Sequence, residues 1–245
     1  MIDKENSFDE IHNNFCNFID SFGNYIIYTR STEAQHQKIL ECEKYLETIK
    51  YHKSQAVKIE NERYANQFFH MQCMINALKS FLFMWIQLKD NDFENSWKSL
   101  VDSQDYLAIA LKINGYEGAL NLRNSLKSAE EFLFPKWGKY LSCGFIETVG
   151  KCSICHNLFT ICDHIENEIY MGSICQRIDR KIVEIDHLAL VNDPRDRRCI
   201  TIKMSDEEGH EIDSFTLEKT GKRLDNSKGR NFEGIVFCFS TLDLL

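Results

Sequence analysis

Four residues lie close enough in sequence to make one metal site: Cys152, Cys155, Cys162 and His164. Two cysteines separated by two residues wrap a tight turn that turns both thiolates toward one centre. Cys162 and His164 are two apart, and in an extended segment such side chains point to the same side. Three thiolates and one imidazole suit zinc, at about 2.3 Å and about 2.0 Å. The whole loop is 13 residues long. Four protein donors leave no position for water, so the expected zinc is structural rather than catalytic. Cys175, eleven residues beyond His164, is the alternative fourth ligand, and His164 is favoured because Cys162-Asp163-His164 is locally compact. His156 adjoins Cys155 and is expected to point away.

Other chemistries use some of the same residues. Cys152-Ser-Ile-Cys155-His156 matches a c-type haem attachment string, which requires export, and the chain begins without a basic, apolar leader. A zinc deaminase needs His-x-Glu with Pro-Cys-x-x-Cys, and neither is present. Asp163-His164-Ile165 looks like the metal-proximal string of HNH nucleases. That family usually has a second cysteine pair, and here Asn192 and His187 come in the wrong order. Arg63 and His70, seven apart on one helix, fit the Arg-to-His spacing of HEPN ribonucleases, and a polar helix edge is the commoner meaning of such a pair. Arg195, Arg197 and Arg198, with Arg177, Arg180 and Lys181, are interrupted by Asp179, Asp193 and Asp196, which favours a salt-bridged surface over a phosphate site.

Around these residues the sequence resembles tailed-phage prohead maturation proteases. The resemblance covers Cys152 to Cys199 and includes Cys-x-x-Cys, Cys162-Asp-His-Ile165, Ile169-Tyr-Met-Gly-Ser-Ile-Cys175, and Glu184 through Leu190-Val191 to Pro194. It implies a compact β fold around a serine nucleophile placed just before a Leu-Val. Ala189 occupies that position, so the resemblance implies a chain without protease activity. His187 nearby has no nucleophile to activate. A phage-related or phage-defence setting is a further implication.

The surrounding chain must position these groups. Of 245 residues, 43% are hydrophobic and 27% charged, which marks a globular chain. Residues 1–150 carry 16 Lys/Arg against 20 Asp/Glu, and residues 151–245 carry 13 against 17, so neither part is a polycation for nonspecific nucleic-acid binding. With no leader and no long apolar run, a soluble cytoplasmic protein is expected, and ten cysteines there are not a disulfide framework.

No glycine falls between Gly23 and Gly115 and no proline before Pro135, which predicts helices. Phe8, Ile11, Phe15, Phe18 and Phe22 mark a first face. Ser31 or Thr32 caps a second helix lined by Ile39, Cys42, Leu46 and Ile49. Tyr64, Phe68, Met71, Ile75, Leu78, Leu82 and Trp85 form a heptad-like seam. Such a seam is either buried in the chain's own bundle or open to self-association. Asn91 or Asp92 starts a helix that runs from Phe93 to a left-handed exit at Asn114-Gly115, and another runs from Tyr116 to Phe134. From Gly138 onward β-branched residues predict strands at 145–149, 182–191, 199–204, 210–217 and 234–240, a turn at 206–209 and a loop at 219–230.

The expected fold is α+β: a helical bundle with heptad-like seams over 1–141, then a zinc-knuckle, mostly β domain over 142–245. The expected function is a non-catalytic zinc-binding adaptor that meets a protein partner or its own copy through the helical region. A metal-dependent HNH-like nuclease, a HEPN-like ribonuclease and a nucleic-acid-binding zinc module are the alternatives.

Overall fold

The computed structural model describes residues 8–26, 31–136, 139–224, 231–238 and 242. Among the described residues the fold is α+β: five α-helices followed by antiparallel strands. Helix α1 spans Phe8–Asp20, α2 Thr32–Lys58, α3 Glu62–Lys89, α4 Phe93–Ile113 and α5 Glu117–Leu133. Three starts have a side-chain cap. Ser31 Oγ accepts the amide of Ala34, Asn61 Oδ1 that of Tyr64, and Asp92 Oδ1 that of Asn95. Pro135 stands just beyond the end of α5. Asn114 ends α4 in extended backbone at φ −151°, a correction to the expected left-handed exit.

Helix α3 forms the centre of the bundle. Phe68, Met71, Ile75, Leu78 and Leu82 of the seam are buried, and the helix packs on α2 and α4 of the same chain. The seam is therefore satisfied internally. Serines let the helices approach closely: Ser96 Oγ donates to the Met84 carbonyl and Ser103 Oγ to that of Ala77. Trp97 is fully enclosed beside them. Burying five such seam side chains contributes about 1.5–3 kcal/mol each.

The strands are β1 (Tyr140–Glu147), β2 (Lys151–Cys152), β3 (Ile169–Tyr170), β4 (Ser173–Ile174), β5 (Arg177–Ile178), β6 (Ile182–Val191), β7 (Thr201–Ser205), β8 (His210–Asp213), β9 (Lys219–Arg223) and β10 (Phe232–Gly234). Strands β1 and β6 form an antiparallel ribbon from Tyr140↔Val191 to Glu147↔Ile182, interrupted by two bulges. A second antiparallel sheet has the order β10-β7-β8-β9. The expected turn at 206–209 is the β7–β8 hairpin, with Gly209 at φ +86°.

Several strand limits differ from expectation. Strand β1 begins at Tyr140 because the long β6 offers it a partner that far. Strand β8 stops at Asp213, whose carboxylate accepts the amides of Phe215 and Thr216 and turns the chain. Residues 219–223 form an edge strand rather than loop, because β8 pairs with them. The strand expected at 234–240 is displaced to Phe232–Gly234, and residues 239–240 lie outside those described.

The chain forms two compact units. The first holds the chain through Leu126 together with Lys151–Ile178 and Leu242; the second holds Lys127–Gly150 and the chain from Asp179 up to that residue. The cysteine-rich segment thus belongs with the helices. Among the described residues, no helix is long and apolar enough to cross a membrane.

Candidate metal centre

The site is built on two turns. In the first, Cys152 leaves β2, the amide of His156 donates back to the Cys152 carbonyl at 2.9 Å, and that of Ile154 donates to Cys152 Sγ at 3.3 Å. In the second, the amide of His164 donates to Cys162 Sγ at 3.2 Å. An amide two residues on, aimed at a cysteine sulfur, favours the thiolate a metal needs. The geometry occurs at the first cysteine of both sequence pairs.

The donor atoms of Cys152, Cys155, Cys162 and His164 all lie within 4.8 Å of one another. Cys155 Sγ is 3.4 Å from Cys162 Sγ, and Cys162 Sγ is 3.2 Å from His164 Nδ1. A tetrahedral zinc with sulfur at about 2.3 Å sets its sulfurs about 3.8 Å apart, so small movements would seat an ion. The quartet does not include Cys175, although its Sγ is 3.7 Å from that of Cys152. Burial opposes ionisation of Cys152. The amides of Cys155 and Ile154 and the thiols of Cys162 and Cys175 outweigh it and hold the thiol down at about 6. Desolvation and the neighbouring Cys152 push Cys175 up to about 12.

Tyr170 supports the fourth donor. Its ring meets that of His164 edge-on at 4.6 Å, and its hydroxyl accepts the amide of Ile165 at 3.1 Å. Ser153 fastens the base: its hydroxyl donates to the Ile174 carbonyl and accepts the amide of Gln176. Arg177 pairs with Glu166 at 3.1 Å and lies over Phe159. Neither Tyr170 nor Ser153 stood out in the sequence, since a lone aromatic or serine carries no spacing signal.

The β3–β4 hairpin anchors the segment to α3. Met171 and Gly172 both have positive φ, +47° and +73°, as a tight two-residue hairpin turn requires. The amide of Gly172 donates to Asn66 Oδ1 at 2.7 Å and that of Met171 to Glu62 Oε1 at 3.3 Å. A Cβ at Gly172 would meet the Ala65 carbonyl oxygen at 2.8 Å. Lys112 of α4 donates to the Asn167 carbonyl at 2.9 Å. These bonds explain why Lys151–Ile178 groups with the helices.

The other candidate residues are placed differently. His156 is exposed at φ +59° and stands outside the quartet. His70 is 3% exposed, with Nδ1 3.0 Å from the Ala110 carbonyl, whereas Arg63 is exposed on α3, so the two form no common surface pair. Asp163 is exposed, and His164 turns Nδ1 toward the sulfurs. Asn192 accepts from Lys139, and His187 sits 2.8 Å from Asp186. Ala189 lies in β6 opposite Ser142. The basic residues are largely neutralised: Arg180 by Glu147, Arg198 by Asp196 and Arg197 by Glu130. A second group, Asp206, Glu208 and His210, is a hairpin turn in which Asp206 already pairs with Lys219 at 3.0 Å.

Compared with known protein families, curated proteins and solved structures, the chain matches none.

Proposed function

We propose that this chain is a non-catalytic interaction protein whose segment 151–178 is held in shape by one structural zinc on Cys152, Cys155, Cys162 and His164. The observation that carries the reading is the closed quartet itself, with amides aimed at two of its sulfurs. Three soft thiolates and an imidazole suit zinc over harder cations. Four protein donors fill its tetrahedron and leave no place for a reacting water.

A partner would meet surface other than the buried α3 seam. On the β1–β6 ribbon Ile146, Val183, Ile185, Leu188 and Leu190 are each exposed. Ala189 at the nucleophile position of the prohead-protease resemblance accords with a role without peptide cleavage, and a phage-related setting would follow from the same resemblance.

The test is incubation of zinc-loaded protein with RNA, single- and double-stranded DNA and an unfolded protein substrate, with Mg²⁺ or Mn²⁺ present. No cleavage is expected. Cleavage abolished by Arg63→Ala or His164→Ala, with folding retained, would replace this reading with a nuclease.

A further inference from the structure

The site holds one sulfur more than the quartet uses. Its four cysteines fall into two pairs of different exposure. Cys155 and Cys162 are 3.4 Å apart and part-exposed, whereas Cys152 and Cys175 are 3.7 Å apart and both 0% exposed. The outer pair supplies half of the quartet. The inner pair joins one ligand to the one nearby thiol left out of it.

We propose that Cys155 and Cys162 are a peroxide-modifiable pair whose oxidation empties the metal site, with Cys152 and Cys175 as an inner pair that closes afterwards. This rests on the zinc reading above. In the first step a sulfur lone pair of one outer thiolate attacks an oxygen of hydrogen peroxide. The O–O bond breaks, hydroxide leaves, and the sulfur becomes a sulfenic acid, oxidised by two electrons. In the second step the other outer thiolate attacks that sulfur. The S–S bond forms, the S–OH bond breaks, and a second hydroxide leaves. Two thiolates and one peroxide thus give one disulfide and two hydroxides.

The sulfurs need only close from 3.4 Å to about 2.05 Å. Two of four donors are then withdrawn, and a tetrahedral set no longer exists. A second peroxide can join Cys152 to Cys175 by the same chemistry. Burial makes that pair the slower one, because peroxide must reach a sulfur before it can react. The inner disulfide would tie Cys152, at the end of β2, to Cys175, just beyond β4, and so hold the base of the segment in place of the metal.

The test uses the full-length, zinc-loaded protein and hydrogen peroxide. Released zinc is read with a chromogenic chelator, and disulfides by mass spectrometry of alkylated, unreduced peptides. One equivalent of peroxide should release about one zinc per chain and yield the Cys155–Cys162 peptide first, with Cys152 and Cys175 still alkylated. Cys175→Ser should release zinc at the wild-type rate and leave Cys152 without a disulfide at excess peroxide. A dithiol reductant with added zinc should restore the site. A first disulfide containing Cys152 or Cys175, release without any disulfide, or slower release in Cys175→Ser would overturn the proposal. Reduced protein without zinc would instead defeat the zinc reading, so the two failures are distinguishable.

Discussion

The amide of Gly172 donates to Oδ1 of Asn66 at 2.7 Å, joining the tip of the β3–β4 hairpin to helix α3 across 106 residues of sequence. The contact is tight because Gly172 has no side chain. At φ +73° an alanine would be strained, and its Cβ would lie 2.8 Å from the Ala65 carbonyl oxygen. Gly172→Ala is therefore expected to destabilise the folded protein by about 1–3 kcal/mol. Asn66→Ala, which removes one acceptor, should cost about 1 kcal/mol. Urea unfolding of the metal-loaded protein checks both, and unchanged midpoints would mean the hairpin is not anchored there.

The quartet predicts an ordered set of metal stoichiometries. Cys152→Ser and His164→Ala should lower bound zinc, whereas Cys175→Ser should leave it unchanged. The reverse result for Cys175 and His164 would give the fourth position to Cys175. Equilibrium dialysis followed by elemental analysis of each folded variant reads this directly.

Acid should weaken the helical bundle through His70. Burial holds its pKa below the ordinary histidine value, so the folded state binds fewer protons than the unfolded one. The stability from keeping the ring neutral is complete above about pH 6.5 and is lost as pH falls through the folded pKa. Denaturant unfolding at about pH 7.5 and about pH 5 should show a larger loss for wild type than for His70→Gln, whose side chain cannot gain a proton. Equal losses would place the acid sensitivity elsewhere.

Chelation separates the metal segment from the bundle. Helices α2 to α4 bury their own apolar faces, so far-UV helicity should survive zinc removal. Amide exchange over 151–178 should rise sharply, because structural zinc contributes folding energy to the segment it binds. Loss of helicity on chelation would show that the bundle depends on the metal.

The helices are legible because each carries an apolar period and an uninterrupted run, and Ser31 and Asp92 mark two starts that side-chain chemistry dictates. The metal quartet was legible because its ligands are local. The anchoring of 151–178 was not, since Asn66 and Glu62 meet Met171 and Gly172 through backbone amides, which leave no residue-type signature. The grouping of 151–178 with the helices leaves no signature in the sequence for the same reason. The β-branched run in β6 correctly announced a strand, but not that Ile185 and Leu188 would be exposed, because exposure depends on what packs against the ribbon.

The central claim is that segment 151–178 is held in shape by a zinc ion on Cys152, Cys155, Cys162 and His164. Elemental analysis of protein purified without added metal or chelator tests it most directly. The account predicts about one zinc per chain, lost in Cys152→Ser. A folded wild-type preparation with no zinc, or a Cys152→Ser variant that retains it in full, would contradict the account.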